Sequence, residues 1–298
     1  MITIFIHVVI LLILPPLLLG VITKTKAWFG GRVGAPLLQP YYDLAKLMRR
    51  GLVLSSTTTW IFRAGPVITL ATVLLAGLLI PISGFNAPIA FTGDLILFAY
   101  LLGLARFVTV VAALDTGSSF EGMGASREVF FSMLAEPALF LSLAVVASQT
   151  HSLCLSEMLP KVAASGPALA LVAAALFVVL LCENSRIPFD DPDTHLELTM
   201  IHEVMILDHS GPELAYILYG AALKLWVLAA VLVGIVMPAG LYSSRWAELP
   251  MTLGGMLALS LLVGVVESTT ARVRLLRVPQ LLTGAGVLAA LALFLCLR

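Results

Sequence analysis

The chain has 298 residues, of which 60% are apolar and only 11% charged, with 17 Lys and Arg balancing 17 Asp and Glu. Soluble domains carry about 25% charged residues, so this composition argues against a soluble enzyme and excludes a disordered chain or a disulfide-rich secreted scaffold. A formal net charge of zero offers no global basic field for nucleic acid.

A helix crossing a bilayer needs about 20 mainly apolar residues. Eight segments meet this, roughly 2–22, 65–83, 93–114, 129–149, 166–184, 213–236, 252–270 and 280–297. The expected fold is an all-α integral membrane protein of about eight transmembrane helices in a single polytopic domain, 1–298. A membrane β-barrel would alternate apolar and polar residues, and the run from Leu169 to Leu181 does not. No basic residue precedes the first apolar run, while Lys24 and Lys26 follow it. It therefore reads as a retained helix, not a cleavable signal peptide. With the N-terminus outside, twelve Lys and Arg fall on the inner side and three on the outer. Positive charge collects on the cytoplasmic side, so a multi-pass protein of the inner membrane is expected, with both termini periplasmic.

Three inner loops, 23–64, 115–128 and 185–212, carry most of the polar residues and form the expected docking face. In the first, Leu37, Tyr41, Leu44, Leu47 and Met48 recur at helical spacing, with Asp43, Lys46, Arg49 and Arg50 largely opposite. That predicts an amphipathic helix along the interface. In the third, Pro188 and Pro192 break any helix, and Asp193 or Thr194 can cap the next. His195, His202 and His209 then recur every seven residues, which aligns them on one helical face. Seven residues are about 10 Å of rise, too far to share one metal. His202-Glu203 lacks the second His four residues on, where Ile206 stands, so no zincin motif is present. Cys154, Cys182 and Cys296 form no C-x-x-C pair and read as small packing residues. Metal sites in this chain are therefore not expected.

Arg106, Glu136, Glu183, Glu213, Lys224 and Glu267 fall within spans. A charge at the membrane centre costs at least about 2.5 kcal/mol, so such groups face the bundle interior or water and pair with one another. Glu213, Glu183 and Glu267 lie near span ends, where they can reach toward the interface. Arg106, Glu136 and Lys224 sit deeper and are the candidates for an ion path. Glu136 precedes Pro137, which frees a backbone carbonyl nearby.

Over nearly the whole chain the motifs resemble the family of the quinone-site membrane subunit of respiratory complex I. The nearest resemblance is to its branch in energy-converting nickel–iron hydrogenases, the formate hydrogenlyase subunit 4 and hydrogenase-4 component C group. Arg32-Val33-Gly34-Ala35-Pro36-Leu37-Leu38-Gln39 keeps that branch's compact spacing. Leu114 to Phe120, Gly124-Ala125-Ser126-Arg127-Glu128 and Glu136-Pro137 are similar to a hydrogenase-type signature. Arg186, Pro188-Phe189-Asp190, Pro192, Glu197-Leu198 and Ser210-Gly211 align with the family's loop motif, although His195 stands where an acid is usual.

The resemblance implies a membrane-anchoring, energy-coupling subunit that itself performs no redox step. It would link electron transfer in a docked hydrophilic arm to proton or sodium translocation. It implies a proton path or coupling set of Arg106, Glu136, Glu183, Glu197, Glu203, Asp208 and Lys224, and a docking set of Arg32, Asp43, Lys46, Asp115, Arg127, Arg186 and Asp190. No catalytic residue and no cofactor are expected in this chain. Nickel–iron and iron–sulfur centres would lie in partners on the cytoplasmic face, a hydrogenase-type large subunit and a small iron–sulfur subunit. Antiporter-like subunits would lie beside it in the lipid bilayer. The alternative is the quinone-site subunit of an NADH-quinone oxidoreductase.

Overall fold

Prolines, glycines and charges punctuate the apolar runs, and the computed structural model, which describes residues 2–82, 85–161, 166–190, 200–237 and 245–297, shows where each helix consequently starts and stops. The first expected span is two helices, Ile2–Ile13 (α1) and Pro15–Phe29 (α2), meeting at a 41° bend. Pro16 has no N–H to give Leu12, and Leu17 turns its own N–H to Leu14 at 3.0 Å, which leaves the Ile13 carbonyl free as well. Two phenols take their place. The Tyr219 hydroxyl donates to the Leu12 carbonyl at 2.7 Å, and the Tyr41 hydroxyl donates to that of Ile13. In hydrocarbon an unsatisfied carbonyl costs several kcal/mol, so this break depends on partners from elsewhere in the chain.

The amphipathic helix is present at Gln39–Met48 (α3), with Tyr41, Leu44 and Leu47 half-buried and Asp43 and Lys46 exposed. It packs on α2 and on Gly211–Val236 (α10). Trp60–Leu78 (α4) begins five residues ahead of the expected 65–83 segment. The cause is Asp115, whose carboxylate accepts from Thr59 N at 2.7 Å, Thr59 Oγ1 at 2.8 Å and Phe62 N at 3.2 Å, capping the helix. Asp94–Asp115 (α5) runs back against α4. Gly65 faces Ala112 there so closely that a Cβ on it would lie 2.7 Å from the alanine methyl.

The 115–128 segment is not a loop. Ser119–Thr150 (α6) absorbs most of it into a helix of 32 residues, about 48 Å long at the usual rise. Glycines at 117, 122 and 124 hide this in the sequence because they depress helix propensity. Tertiary packing outweighs them. Gly124 lies against the short helix His202–Met205 (α9), and a Cβ there would stand 2.9 Å from the Ile201 carbonyl oxygen. Gly124→Leu is therefore expected to cost about 1–3 kcal/mol by overpacking. Limited proteolysis in detergent should show faster cleavage around residue 205 in that variant.

Leu155–Lys161 (α7), Pro167–Glu183 (α8), Arg245–Thr269 (α11) and Val278–Leu297 (α12) complete the bundle, with a 3-10 turn at Leu275–Arg277. All eight expected segments are largely helical. Among the described residues six helices are long and apolar enough to cross a membrane, seven if the bent α1–α2 pair is counted as one span. The fifth segment gives α8, apolar but only 17 residues long. Among the described residues there is no strand, only an isolated Ile82–Phe85 bridge. The protein is an all-α integral membrane protein. Its central member is α10, buried over 72% of its most apolar window and packed on α2, α3, α4, α7, α8 and α11.

Candidate functional site

Four of the charged residues that stand out inside spans meet at one point. Arg106 on α5 reaches three carboxylates. Its Nη1 donates to Glu136 of α6 at 2.6 Å, its Nη2 to Glu183 of α8, and its Nε stands 3.5 Å from Glu128 of α6. Lys224 of α10 places Nζ 2.8 Å from the other Glu183 oxygen. A planar guanidinium suits this because its fork addresses several carboxylates at once, which a single ammonium does not. The Glu183 side chain is only 3% exposed, whereas that of Glu136 is 43% exposed on the bundle's flank.

Two cations thus face three carboxylates, so the fully ionised cluster carries one excess negative charge among the described residues. The sequence does not single out Glu128 as a member, because it falls at the end of an expected inner loop. Once α6 starts at Ser119, Glu128 stands two turns and a little more before Glu136, broadly on the same side of one helix.

The described residues behind the cluster are held by polar contacts. Asp190 is 1% exposed; one oxygen accepts from Arg272 Nη2 at 2.8 Å, the other from Ile201 N and His202 N at 3.0 and 3.1 Å. Arg127 donates to the Met200 carbonyl at 2.9 Å. Glu267, expected to reach toward the interface, is instead enclosed between Lys26 at 3.3 Å and Arg186 at 3.4 Å. Glu213 is likewise buried, 3.9 Å from Arg63 and 3.5 Å from His209. In both cases cations from other segments stand where water would otherwise solvate the carboxylate.

The heptad histidines do not share a helix. The helix α9 ends at Met205, and His209 lies beyond it, stacked on Phe62 with ring centroids 3.9 Å apart. His195 and Glu197, with the caps expected at Asp193 or Thr194, lie outside the described residues. Burial lowers the pKa values of His202 and His209 to about 4, with Lys224 adding to the effect at His202. Both imidazoles are neutral when folded and would titrate near 6.5 when unfolded. The stability they contribute is full above pH 6.5 and is lost as pH falls toward 4. Hydrogen exchange of backbone amides 200–211 should therefore accelerate across that window beyond its intrinsic pH dependence, and less so in His209→Asn.

Of the remaining candidates, Arg32, Asp43 and Lys46 are exposed, Glu203 is half-buried, and Asp208 is exposed while its backbone N donates to buried Glu121 at 3.1 Å. Two spaces open beside these groups. A void of about 70 Å³ is lined by Arg106, Glu128, Glu183 and Lys224, among others. A cavity of about 330 Å³ lies between α2, α3, α10 and residues 184–186, 190, 202 and 203. Pro16, Leu19, Leu44 and Leu218 give it apolar walls, while Asp43, Arg186, Asp190 and Glu203 give it a polar end. Among the described residues no group of three or more His, Cys, Asp or Glu is placed to hold a metal ion.

Known proteins share this chain's sequence and fold along its length. It is 35% identical over 296 residues to hydrogenase-4 component C of Escherichia coli, covering 95% of this chain and 92% of that protein. It is 30% identical over 298 residues to formate hydrogenlyase subunit 4 of the same organism, covering 94% and 93%. A chain in the structure of a membrane-bound sulfane sulfur reductase, an archaeal respiratory membrane complex, superposes with a TM-score of 0.86 over 99% of both chains at 20% identity, which shows the fold. The NADH dehydrogenase family profile matches residues 1–297, and with the hydrogenase relatives at this level the chain belongs to that family of complex I membrane proteins and their hydrogenase counterparts.

Proposed function

We propose that this chain is the membrane-anchoring, energy-coupling subunit of a hydrogenase-type complex, joining electron transfer in a docked hydrophilic arm to ion translocation in the membrane. The observation that carries the reading is the Arg106 cluster. It is a net-negative group of five ionisable side chains, set inside the bundle beside a cavity at its inner end. Such groups are costly in a membrane and mark ion or proton paths. The full-length likeness to hydrogenase-4 component C supports the hydrogenase setting. The arm and its nickel–iron and iron–sulfur centres belong to partner chains in this reading, and antiporter-like subunits would receive the energy.

Within the docking set, Arg32, Asp43 and Lys46 are exposed and can meet a partner directly, whereas Asp115, Arg127, Arg186 and Asp190 act by shaping the inner face. Arg32→Glu with Lys46→Glu is expected to release the arm while the subunit stays inserted. Affinity purification on a tag in this chain checks it. A complex of unchanged stoichiometry would remove these residues from the dock, and recovery of no hydrogenase-type large subunit with the native chain would overturn the reading. The quinone-site alternative is favoured by one observation, the cavity with apolar walls and a polar end. Quinone reduction by the purified complex would decide for it.

A further inference from the structure

The void beside the ion cluster and the larger cavity share four wall residues, Asn184, Ser185, His202 and Ala221. Of these, only His202 has a side chain whose ring nitrogens can take up one proton and release another. We propose that His202 is the proton-relay residue between the inner cavity and the buried Arg106–Glu183–Lys224 cluster. This deepens the coupling reading above and rests on it.

Geometry supports the assignment at three points. The backbone of His202 is fixed, its N–H donating to Asp190, which Arg272 holds in turn. His202 lines the void together with Glu183 and Lys224 and lines the cavity together with Asp190 and Glu203, so it borders both the cluster and the cavity's polar end. Beside it, Asn184 donates its Nδ2 to the Leu180 carbonyl at 2.8 Å. That fixes the amide's orientation and leaves Oδ1 buried with no donor among the described residues. In the proposed relay a water held by the imidazole would supply that donor.

A neutral imidazole has one protonated and one free nitrogen. A proton arriving from the Glu203 side binds the free nitrogen and makes the imidazolium. The proton on the opposite nitrogen then leaves toward Asn184 and the cluster, and the ring is neutral again as the other tautomer. One proton enters and one leaves: the N–H that forms is matched by an O–H that breaks at the donor, and the N–H that breaks by an O–H that forms at the accepting water or carboxylate. Burial and Lys224 disfavour the imidazolium, so a proton passes through the ring and does not settle there.

The test uses the complete complex with its partners, reconstituted in proteoliposomes, and reads protons moved per electron pair. His202→Gln keeps a hydrogen-bonding side chain without a titratable ring and is expected to lower that ratio about tenfold or more, as loss of a positioned proton-transfer group does. His202→Ala should lose it equally and regain a measurable part on addition of free imidazole, which a merely structural role would not allow. A native ratio in His202→Gln, or a loss in His202→Ala that imidazole leaves untouched, overturns the proposal. Lys224→Met run in parallel separates the two levels. If it lowers the ratio while His202→Gln does not, the relay alone falls; if neither does, the coupling reading falls with it.

Discussion

Arg106→Met should remove most of this subunit from the membrane. The guanidinium ties α5, α6 and α8 together through carboxylates. Taking it away leaves Glu183 facing Lys224 alone and Glu128 and Glu136 without their cation. Breaking a buried pair by removing one partner costs about 3–5 kcal/mol, because a charge is left uncompensated in a poorly polarisable site. That is a large share of the stability of an ordinary domain. The steady-state amount of the subunit, read by immunoblot of membranes, should fall severalfold, and the melting temperature of any purified remainder should drop. Arg106→Lys is expected to lie between, since one ammonium keeps the charge but not the fork. Adding Glu136→Gln to Arg106→Met should recover part of the loss by reducing the unpaired negative charge. A normal yield of Arg106→Met would show that the cluster does not hold the bundle.

Glu136→Gln alone should behave differently. It leaves two cations against two carboxylates, so the cluster becomes neutral, and the side chain it alters is the most exposed of the ion-pair carboxylates around Arg106. Glutamine retains the size and can still accept from Arg106, so assembly is expected to be intact. What it lacks is an exchangeable proton. Under the coupling reading, ion movement per turnover falls, and an uncoupler no longer stimulates electron transfer as it does in the native complex. Reduced complex yield with normal coupling would instead make Glu136 a strut, a role its 2.6 Å contact with Arg106 would also serve.

The apolar segments and the deep charges are legible because both are one-dimensional signals. Twenty apolar residues announce a span wherever it packs, and Arg106, Glu136, Glu183 and Lys224 stand out against such a background with no partner in view. The structure brings those four to one place. Features that depend on a contact distant in sequence are not legible. The early start of α4 depends on Asp115, more than fifty residues away. The helical start of α6, and with it the place of Glu128, depends on α9 packing against Gly124. Glu267 reads as an end-of-helix charge because Lys26 and Arg186 lie far from it in the chain. Local propensity is a weak prior, and tertiary packing overrides it at each of these positions.

The bend at Leu14 bears on the shape of the cavity between α2, α3 and α10. Its two freed carbonyls are claimed by Tyr219 on α10 and Tyr41 on α3, and α2, α3 and α10 are the same helices that wall the cavity. The rim is therefore latched by two phenols to a proline break that cannot straighten without exposing backbone to lipid. Such a slot is formed before anything enters it. A ligand that entered it would meet a shape already made and would spend little of its binding free energy on ordering the protein.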